Sequence, residues 1–352
     1  MRRVLVTPLD WGLGHASRCV PIVRALLDLN CEVSIGGCGY SLELLKEEFP
    51  SLKFFELPGY DPVYSASSSL IWKMTQQLYK FIRTIDKEQK EIEELVRSEN
   101  IDLIISDNRY GCWSHSIKSI FITHQLTILL PKRIEWISGI VNHFNHRQIR
   151  NFHECWVPDW EKEGLAGRLS RTKVHRVKYI GPLSRFEKKE QQIKKTFDIL
   201  IMLSGPEPQR TILEEIMTRE FQRVEKDICI VRGVPGRSVR KAGKNISVID
   251  FLNARDLQLL IQQSDLLICR SGYSTIMDLS IIGGKVLFIP TPGQSEQEYL
   301  AQRLKDKGVA FSISQDEFDW ETVEGEIEKY PGFQSMGYNG HLQEVLKDAL
   351  VK

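Results

Sequence analysis

Two stretches of this chain alternate uninterrupted apolar runs with helix-spaced segments, and that alternation limits the fold more than any other feature. In the first stretch, "RRVLVTPL", "EVSIGG", "LKFFEL", "IDLIISD", "SIFITHQ" and "ECWVPD" read as strands. Between them, "CVPIVRALLDLN", "SLELLKEEF" and a long charged segment from about Leu70 to Ser98 read as helices. In the second stretch, "FDILIMLSG", "DICIVRG", "ISVIDFL", "SDLLICR" and "KVLFIP" alternate with helices in the same way. Strand–helix–strand units of this kind build parallel sheets covered by helices.

The expected class is therefore α/β, with two Rossmann-like domains facing a cleft. The boundary falls in "YIGPLSRFEKKEQQIKK", which turns Gly-Pro-rich and then strongly charged. This predicts a first domain over 1–181, a linker over 182–196 and a second domain over 197–337. Residues 338–352 form a short amphipathic helix, and "GYDPVYSASSS" is a loop by composition. No internal repeat is present. A chain of 352 residues suits two domains of about 150 residues each.

Composition excludes several classes. Lys plus Arg is 47 and Asp plus Glu 46, leaving a net charge of +1 and no electrostatic footprint for nucleic acid. Hydrophobic residues at 42% and charged ones at 26% are ordinary for a soluble globular chain. No run approaches the roughly 18 apolar residues of a membrane span. The apolar run in "MRRVLVTPLDWG" is too short for a signal sequence, and Asp10 interrupts it before it can lengthen. The seven Cys are scattered without a C-x-x-C pair, which predicts buried thiols in a reducing cytoplasm.

In open parallel sheets, ligands lie beyond the carboxyl ends of the strands. The loops there are "DWGLGHASR", "SDNRYG", "THQ", "SGPEPQ", "DFLNARD" and "RSGYST". In the last, Gly272 lets the backbone turn tightly, and Ser274 and Thr275 open a helix whose first N–H groups suit a phosphate. On spacing alone, Thr275-x-x-Asp278 is equally a capping box. If Ser274 is the cap, Asp278 is free to point at a ligand.

Within "GLGHASR", Gly12 and Gly14 bring the backbone close to something and His15 stands at a helix entry. It is either a general base for a hydroxyl or a helix-start His bonded to backbone. Arg18 either meets substrate anions or solvates a helix face. Asp107 ends a strand, where it orients His15, takes the proton itself, or simply starts a turn. His124 reads best as a satisfied core residue. His143, His146 and His153 lack an acid or Cys at zinc-like spacing, so no metal site is expected. Ile134, Ile137, Val141 and Phe144 share one face of a basic helix, which either packs on the first sheet or lies on a membrane surface.

"VIDFLNARDLQLLIQQSDLLICRSGYSTIMDLSIIGGKVLFIPTPGQSEQEYLAQRLKDKG" resembles the carboxyl half of glycosyltransferase family 28, the MurG-like enzymes of the GT-B fold. The shared order is Phe, a helix, Asp before a strand, Arg-x-Gly-x-x-Thr, an acid, Gly-x-x-x-x-x-x-Pro, and Gln-x-x-x-Ala. "YIGPLSR", "MLSGPEP" and "GLGHASR" resemble the family's interdomain stretch, second Gly-rich loop and first Gly-rich loop.

The resemblance implies a UDP-linked sugar donor on the second domain. Phe251 and Leu252 would border the base, and Asp278 the ribose. Arg185, Ser204, Gly205 and the turn Arg270, Ser271, Gly272, Tyr273, Ser274 and Thr275 would surround the diphosphate, with Gln297 by the sugar. It also implies an inverting transfer to an acceptor hydroxyl, lipid-linked or glycan. His15 or Asp107 would be the base, Gly12, Gly14 and Arg18 the acceptor-side loop, and no cofactor is needed. No Asp-x-Asp motif occurs, so a metal-bridged diphosphate is not indicated. The location implied is cytoplasmic, at the inner membrane surface if the basic helix makes contact there.

The chain departs from the family pattern in three places. The ribose acid is Asp rather than Glu, the Asn of Gln-x-x-Asn-Ala is missing, and Pro206 and Pro208 interrupt the second Gly-rich loop. Three other functions share these residues: a UDP-sugar hydrolase with a similar Gly-x-Gly-His-x-x-Arg loop, a nucleotide-sugar 2-epimerase, and a non-catalytic partner subunit that binds nucleotide-sugar.

Overall fold

The structure is a computed structural model. It describes residues 1–60, 70–171, 174, 176–188, 193–205, 207–234, 236, 238–336 and 341–351, with backbone alone for 70–78. The linker residues 189–192, residues 61–69 of the expected loop "GYDPVYSASSS", and Pro206 lie outside the described residues. The chain divides into two compact units. One comprises Met1–Ile128, Ile134–Leu183 and Gly340–Lys352, the other Leu129–Arg133 and Ser184–Asn339.

The first unit contains β1 (Arg3–Pro8), α1 (Leu13–Asp28), β2 (Glu32–Gly37), α2 (Gly39–Glu48), β3 (Lys53–Glu56) and α3 (Leu70–Glu99). It continues with β4 (Leu103–Asp107), β5 (Lys118–Ile122), α4 (Ser138–Ile149), β6 (Glu154–Val157) and β7 (Val177–Tyr179). Its strands are all parallel, in the order β3-β2-β1-β4-β5-β6-β7. Val4, Leu5 and Val6 are fully buried, as a strand covered on both faces requires. Ile92 and Val96 of α3 pack on Leu5 and Ile104.

The second unit contains β8 (Phe197–Met202), α5 (Gln209–Phe221), β9 (Ile228–Val231), β10 (Val239–Lys241), β11 (Ile246–Ile249) and α6 (Ala254–Gln262). After these come β12 (Ser264–Cys269), α7 (Tyr273–Ile282), β13 (Val286–Phe288), α8 (Ser295–Asp306), β14 (Phe311–Ser312) and α9 (Trp320–Ile327). The order is β10-β11-β9-β8-β12-β13-β14, parallel except for the antiparallel edge strand β10. Its core joins Ile199, Ile201, Ile230 and Ile268 of the sheet to Leu213, Met217 and Phe221 of α5 and Trp320 of α9. Each such side chain contributes about 1.5–3 kcal/mol by leaving water.

The last helix, α10 (His341–Leu350), belongs to the first unit, where Arg2 Nε donates to the Leu350 carbonyl at 3.2 Å. In each sheet the strand order reverses beside the first strand of the unit, between β1 and β4 and between β8 and β12. In open parallel sheets, ligands bind beyond the carboxyl ends of the strands at such switch points. At that end of the first sheet, His15 lies in the first turn of α1 and Asp107 is the last residue of β4, while the loops after β8 and β12 carry Ser204 and the Gly272 turn.

Candidate active site

In the first unit, Gly12 is the N-cap of α1 with φ 90, a left-handed conformation that disfavours any side chain. The helix starts at Leu13, so His15 and Arg18 stand on one helix face, three residues apart. This corrects the expectation for Arg18. It lies in α1 rather than in a loop, and it does not solvate a helix face, because its side chain is only 2% exposed. Its Nε donates to Asp107 Oδ2 at 2.7 Å, and its Nη2 pairs with Oδ1 in a two-pronged ion pair. Nη1 lies 3.2 Å from His124 Nδ1, so the histidine expected in the core is joined to the site through the arginine.

His15 Nδ1 lies 3.2 Å from Asp107 Oδ2 and 2.9 Å from Arg18 Nη2. It can donate to the carboxylate or accept from the guanidinium, and the tautomer decides which. With the proton on Nδ1, Nε2 carries the free lone pair. Burial lowers the His15 pKa below its ordinary value, and the Arg18 charge lowers it further against the pull of Asp107, so the ring is neutral at pH 7. Burial alone would raise Asp107, but Arg18 and then His15 bring it down to about 2. A carboxylate that weakly basic holds a proton poorly. Of the roles open to Asp107 from sequence, the geometry suits orientation of His15.

A second buried pair, missed in the sequence, stands behind this loop. Arg109 and Glu88 are both fully buried, with Arg109 Nε donating to Glu88 Oε1 at 2.5 Å. Arg109 Nη1 also donates to the Pro8 carbonyl at 3.3 Å, tying α3 to the end of β1. The Gly111 N–H donates to Glu88 Oε2 at 3.0 Å, and a Cβ there would come within 2.4 Å of the Ile85 carbonyl. The only sequence signal was the position of "NRYG" after a strand. His146 Nε2 bonds the Leu126 carbonyl and His153 Nδ1 accepts from the Ser119 N–H, so both have structural partners. The helix expected over "LPKRIEWISGIVNHFNHRQIRNF" divides into a 3-10 turn, Lys132–Ile137, followed by α4. Phe144 packs on the Leu9, Tyr60 and Ile85 cluster, whereas Trp136 is 80% and Ile140 71% exposed.

In the second unit, α7 begins at Tyr273 with Gly272 as its N-cap and no side-chain cap bond. The capping box read from Thr275 and Asp278 is therefore not formed. The N-cap is Gly272, three residues before Thr275, and Asp278 lies inside the helix. Its Oδ1 instead accepts from Ser184 Oγ at 2.6 Å, and Arg185 Nε lies 3.7 Å from Oδ2. Ser184, Arg185 and Asp278 thus form one cluster, in which Ser184 was not singled out by sequence.

Arg270 differs from its expected place at the diphosphate. It is 1% exposed and donates to the carbonyls of Ile289 and Pro290, both at 3.1 Å, and of Gln209 at 2.9 Å, and to Gln315 Oε1 at 2.6 Å. Burial lowers its pKa to about 10. It ties the end of β13 to the start of α5 and to the turn that follows β14. Ser271 Oγ donates to the Gln297 carbonyl at 2.8 Å, and Gln297 Oε1 accepts from the Thr291 N–H at 2.9 Å. Ser204 and Gly205 are exposed, and Gly205 has φ 100. At the start of α5, Glu207 Oε2 accepts from the Thr211 N–H at 3.2 Å, so a carboxylate already occupies that helix end. Phe251 and Leu252 are half-buried before α6, which Asn253 caps by accepting from the Asp256 N–H.

Burial lifts Asp278 to about 6, against the opposing charge of Arg185 and the Ser184 bond. An unfolded Asp titrates near 3.8, so ionisation in the folded state lowers stability as pH rises from 3.8 through about 6. Asp278→Asn is expected to remove that loss, worth up to about 3 kcal/mol above pH 7. Its melting temperature should gain on wild type between pH 4.5 and 7.5. A constant difference across that range would show that the acid is not strained by burial.

Residues 218–334 match the glycosyltransferase family 28 C-terminal domain. Over 333 residues, 89% of this chain and 86% of the other, the sequence is 23% identical to an uncharacterized glycosyltransferase of Methanosarcina acetivorans. Over 125 residues, 32% of this chain and 33% of the other, it is 29% identical to the UDP-N-acetylglucosamine--N-acetylmuramyl-(pentapeptide) pyrophosphoryl-undecaprenol N-acetylglucosamine transferase of Histophilus somni. The crystal structure of MurG from Acinetobacter baumannii aligns with a TM-score of 0.56 at 13% identity, covering 99% of this chain and 94% of that one. The fold is GT-B, and the second unit carries a family 28 C-terminal domain. Both of these sequence relatives are named as glycosyltransferases, and the family 28 match spans residues 218–334 of this chain. Among the described residues, no helix is long and apolar enough to cross a membrane.

Proposed function

We propose that this glycosyltransferase moves a hexose from a UDP-linked donor to an acceptor hydroxyl, with inversion and without a metal. The observation that carries the reading is the placement of His15, just beyond β1, with its Nδ1 3.2 Å from Oδ2 of the buried Asp107 at the end of β4. In the Nδ1–H tautomer, His15 Nε2 takes the acceptor proton. The acceptor oxygen bonds to the anomeric carbon as that carbon's bond to the diphosphate breaks on the opposite face. Asp107 fixes the tautomer and stabilises the imidazolium, and Arg18 keeps Asp107 charged.

The second unit holds the donor. Asp278 accepts from the ribose hydroxyls in place of Ser184, the Gly272 turn and Arg185 face the diphosphate, and Gln297 lies by the sugar. The name of the Histophilus somni relative, matched over part of the chain, supports a UDP-linked donor and a lipid-linked acceptor. The exposed Trp136 and Ile140, next in sequence to Lys132 and Arg133, suit contact with a lipid surface.

A thermal-shift panel of nucleotides and nucleotide-sugars tests the reading. A UDP-hexose at a hundred times its Kd should stabilise the protein by about 2.7 kcal/mol. No shift with any nucleotide-hexose would remove the proposal. The hydrolase reading uses the same histidine on water. It is favoured if free sugar is released from the donor without an acceptor at the full turnover rate.

A further inference from the structure

The turn after β13 has a polar group that the fold leaves without a partner among the described residues. Ile289 to Gln294 lead from the strand to α8, and their main chain is held at several points. Arg270 grips the carbonyls of Ile289 and Pro290. Gln297 Oε1 takes the Thr291 N–H at 2.9 Å, and the Gln294 N–H donates to the Thr291 carbonyl at 3.0 Å. The Thr291 hydroxyl, in contrast, is buried with no hydrogen-bond partner among the described residues, in a residue only 5% exposed. Gln294 Oε1, in the same turn, is also buried and unpartnered among them. A buried hydroxyl with no partner lowers stability, and valine would fill the same space without that loss.

The hydroxyl faces the loop after β8. A Cβ built on Gly205 would lie 3.9 Å from Thr291 Oγ1, and the φ of +100 at Gly205 disfavours any side chain. Thr291 therefore stands between Gly205, assigned above to the diphosphate, and Gln297, assigned to the sugar. The chemical group between those two in a nucleotide-sugar is the distal phosphate.

We propose that Thr291 is a further catalytic residue, whose hydroxyl donates a hydrogen bond to the distal phosphate of the nucleotide-sugar; this rests on the donor-binding reading above. The main-chain ties to Arg270 and Gln297 present the hydroxyl on a rigid support. The distal phosphate gains charge as its bond to the anomeric carbon breaks, so a donor placed there stabilises the transition state more than the bound substrate.

Calorimetric titration of wild type, T291V and T291S with UMP, UDP and UDP-glucose tests this. T291V is expected to bind UDP about tenfold or more weakly, the effect of losing a bond to a charged group, with UMP unchanged. T291S should stay near wild type. Ligand-free T291V should melt at or above the wild-type temperature, because no intramolecular bond is lost. Equal weakening of UMP and UDP would overturn the assignment to the distal phosphate. So would unchanged UDP binding with weaker UDP-glucose binding, which would put the hydroxyl on the sugar. A lower melting temperature for T291V would reveal a structural partner and also overturn it. Wild type that prefers UDP to UMP while T291V keeps the same preference fails this inference alone. Wild type that binds no nucleotide or nucleotide-sugar fails the donor reading and this inference with it.

Discussion

His15→Ala lowers the rate of sugar transfer by about 10²–10⁴-fold, the usual contribution of a positioned general base, while nucleotide-sugar affinity stays near wild type. The split follows from where His15 stands. It belongs to the first unit, whereas every residue assigned to the donor belongs to the second. The pH profile carries a further sign. The base must be unprotonated, and burial with the Arg18 charge lowers its pKa below 6.5, so the acid limb of kcat/KM lies below that value. Steady-state kinetics from pH 4.5 to 8 measure both. An alanine variant that raises KM and leaves kcat intact would show that His15 binds substrate and takes no proton.

Arg18→Met destabilises the protein by about 3–5 kcal/mol, because it leaves the Asp107 carboxylate buried and unpaired. The sign with pH can be worked out. Asp107 titrates at about 2 when folded and 3.8 when unfolded, so its ion pair stabilises the fold above pH 3.8 and that contribution fades as pH falls towards 2. In the variant the carboxyl has lost its main counter-charge and protonates at higher pH. The stability gap to wild type therefore narrows from pH 7 to pH 4. Arg18→Met combined with Asp107→Leu recovers part of the loss, since no charge is then left buried, but transfer stays impaired because His15 has lost its orienting partner. Urea unfolding at the two pH values measures the cycle. A single-variant cost below about 1 kcal/mol would mean that the pair is solvated in solution.

The strands of both sheets were legible because burial on two faces selects unbroken Val, Ile and Leu runs, as in "IDLIISD" and "SDLLICR". The strands that sequence did not reveal are short and lie at sheet edges. All three residues of β10 are exposed, so no apolar pattern marks them. At the site, sequence picked out His15, Asp107 and Asp278 because each lies in or just beyond a strand-end loop. It misread their neighbours. Thr275 and Asp278 satisfy the spacing of a capping box, and only the actual helix start at Gly272 excludes it.

The sequence by itself determined two parallel α/β sheets and which loops face their carboxyl ends, because hydrophobic periodicity is a local property of the chain. Only the tertiary structure decided what each charged or polar group there does. The Asp107 carboxyl is held in its charged form because Arg18, 89 residues away along the chain, lies 2.7 Å from it in space. Asp278 accepts instead from Ser184, 94 residues earlier in the chain. Ionisation and hydrogen bonding depend on such through-space distances, which local pattern does not encode.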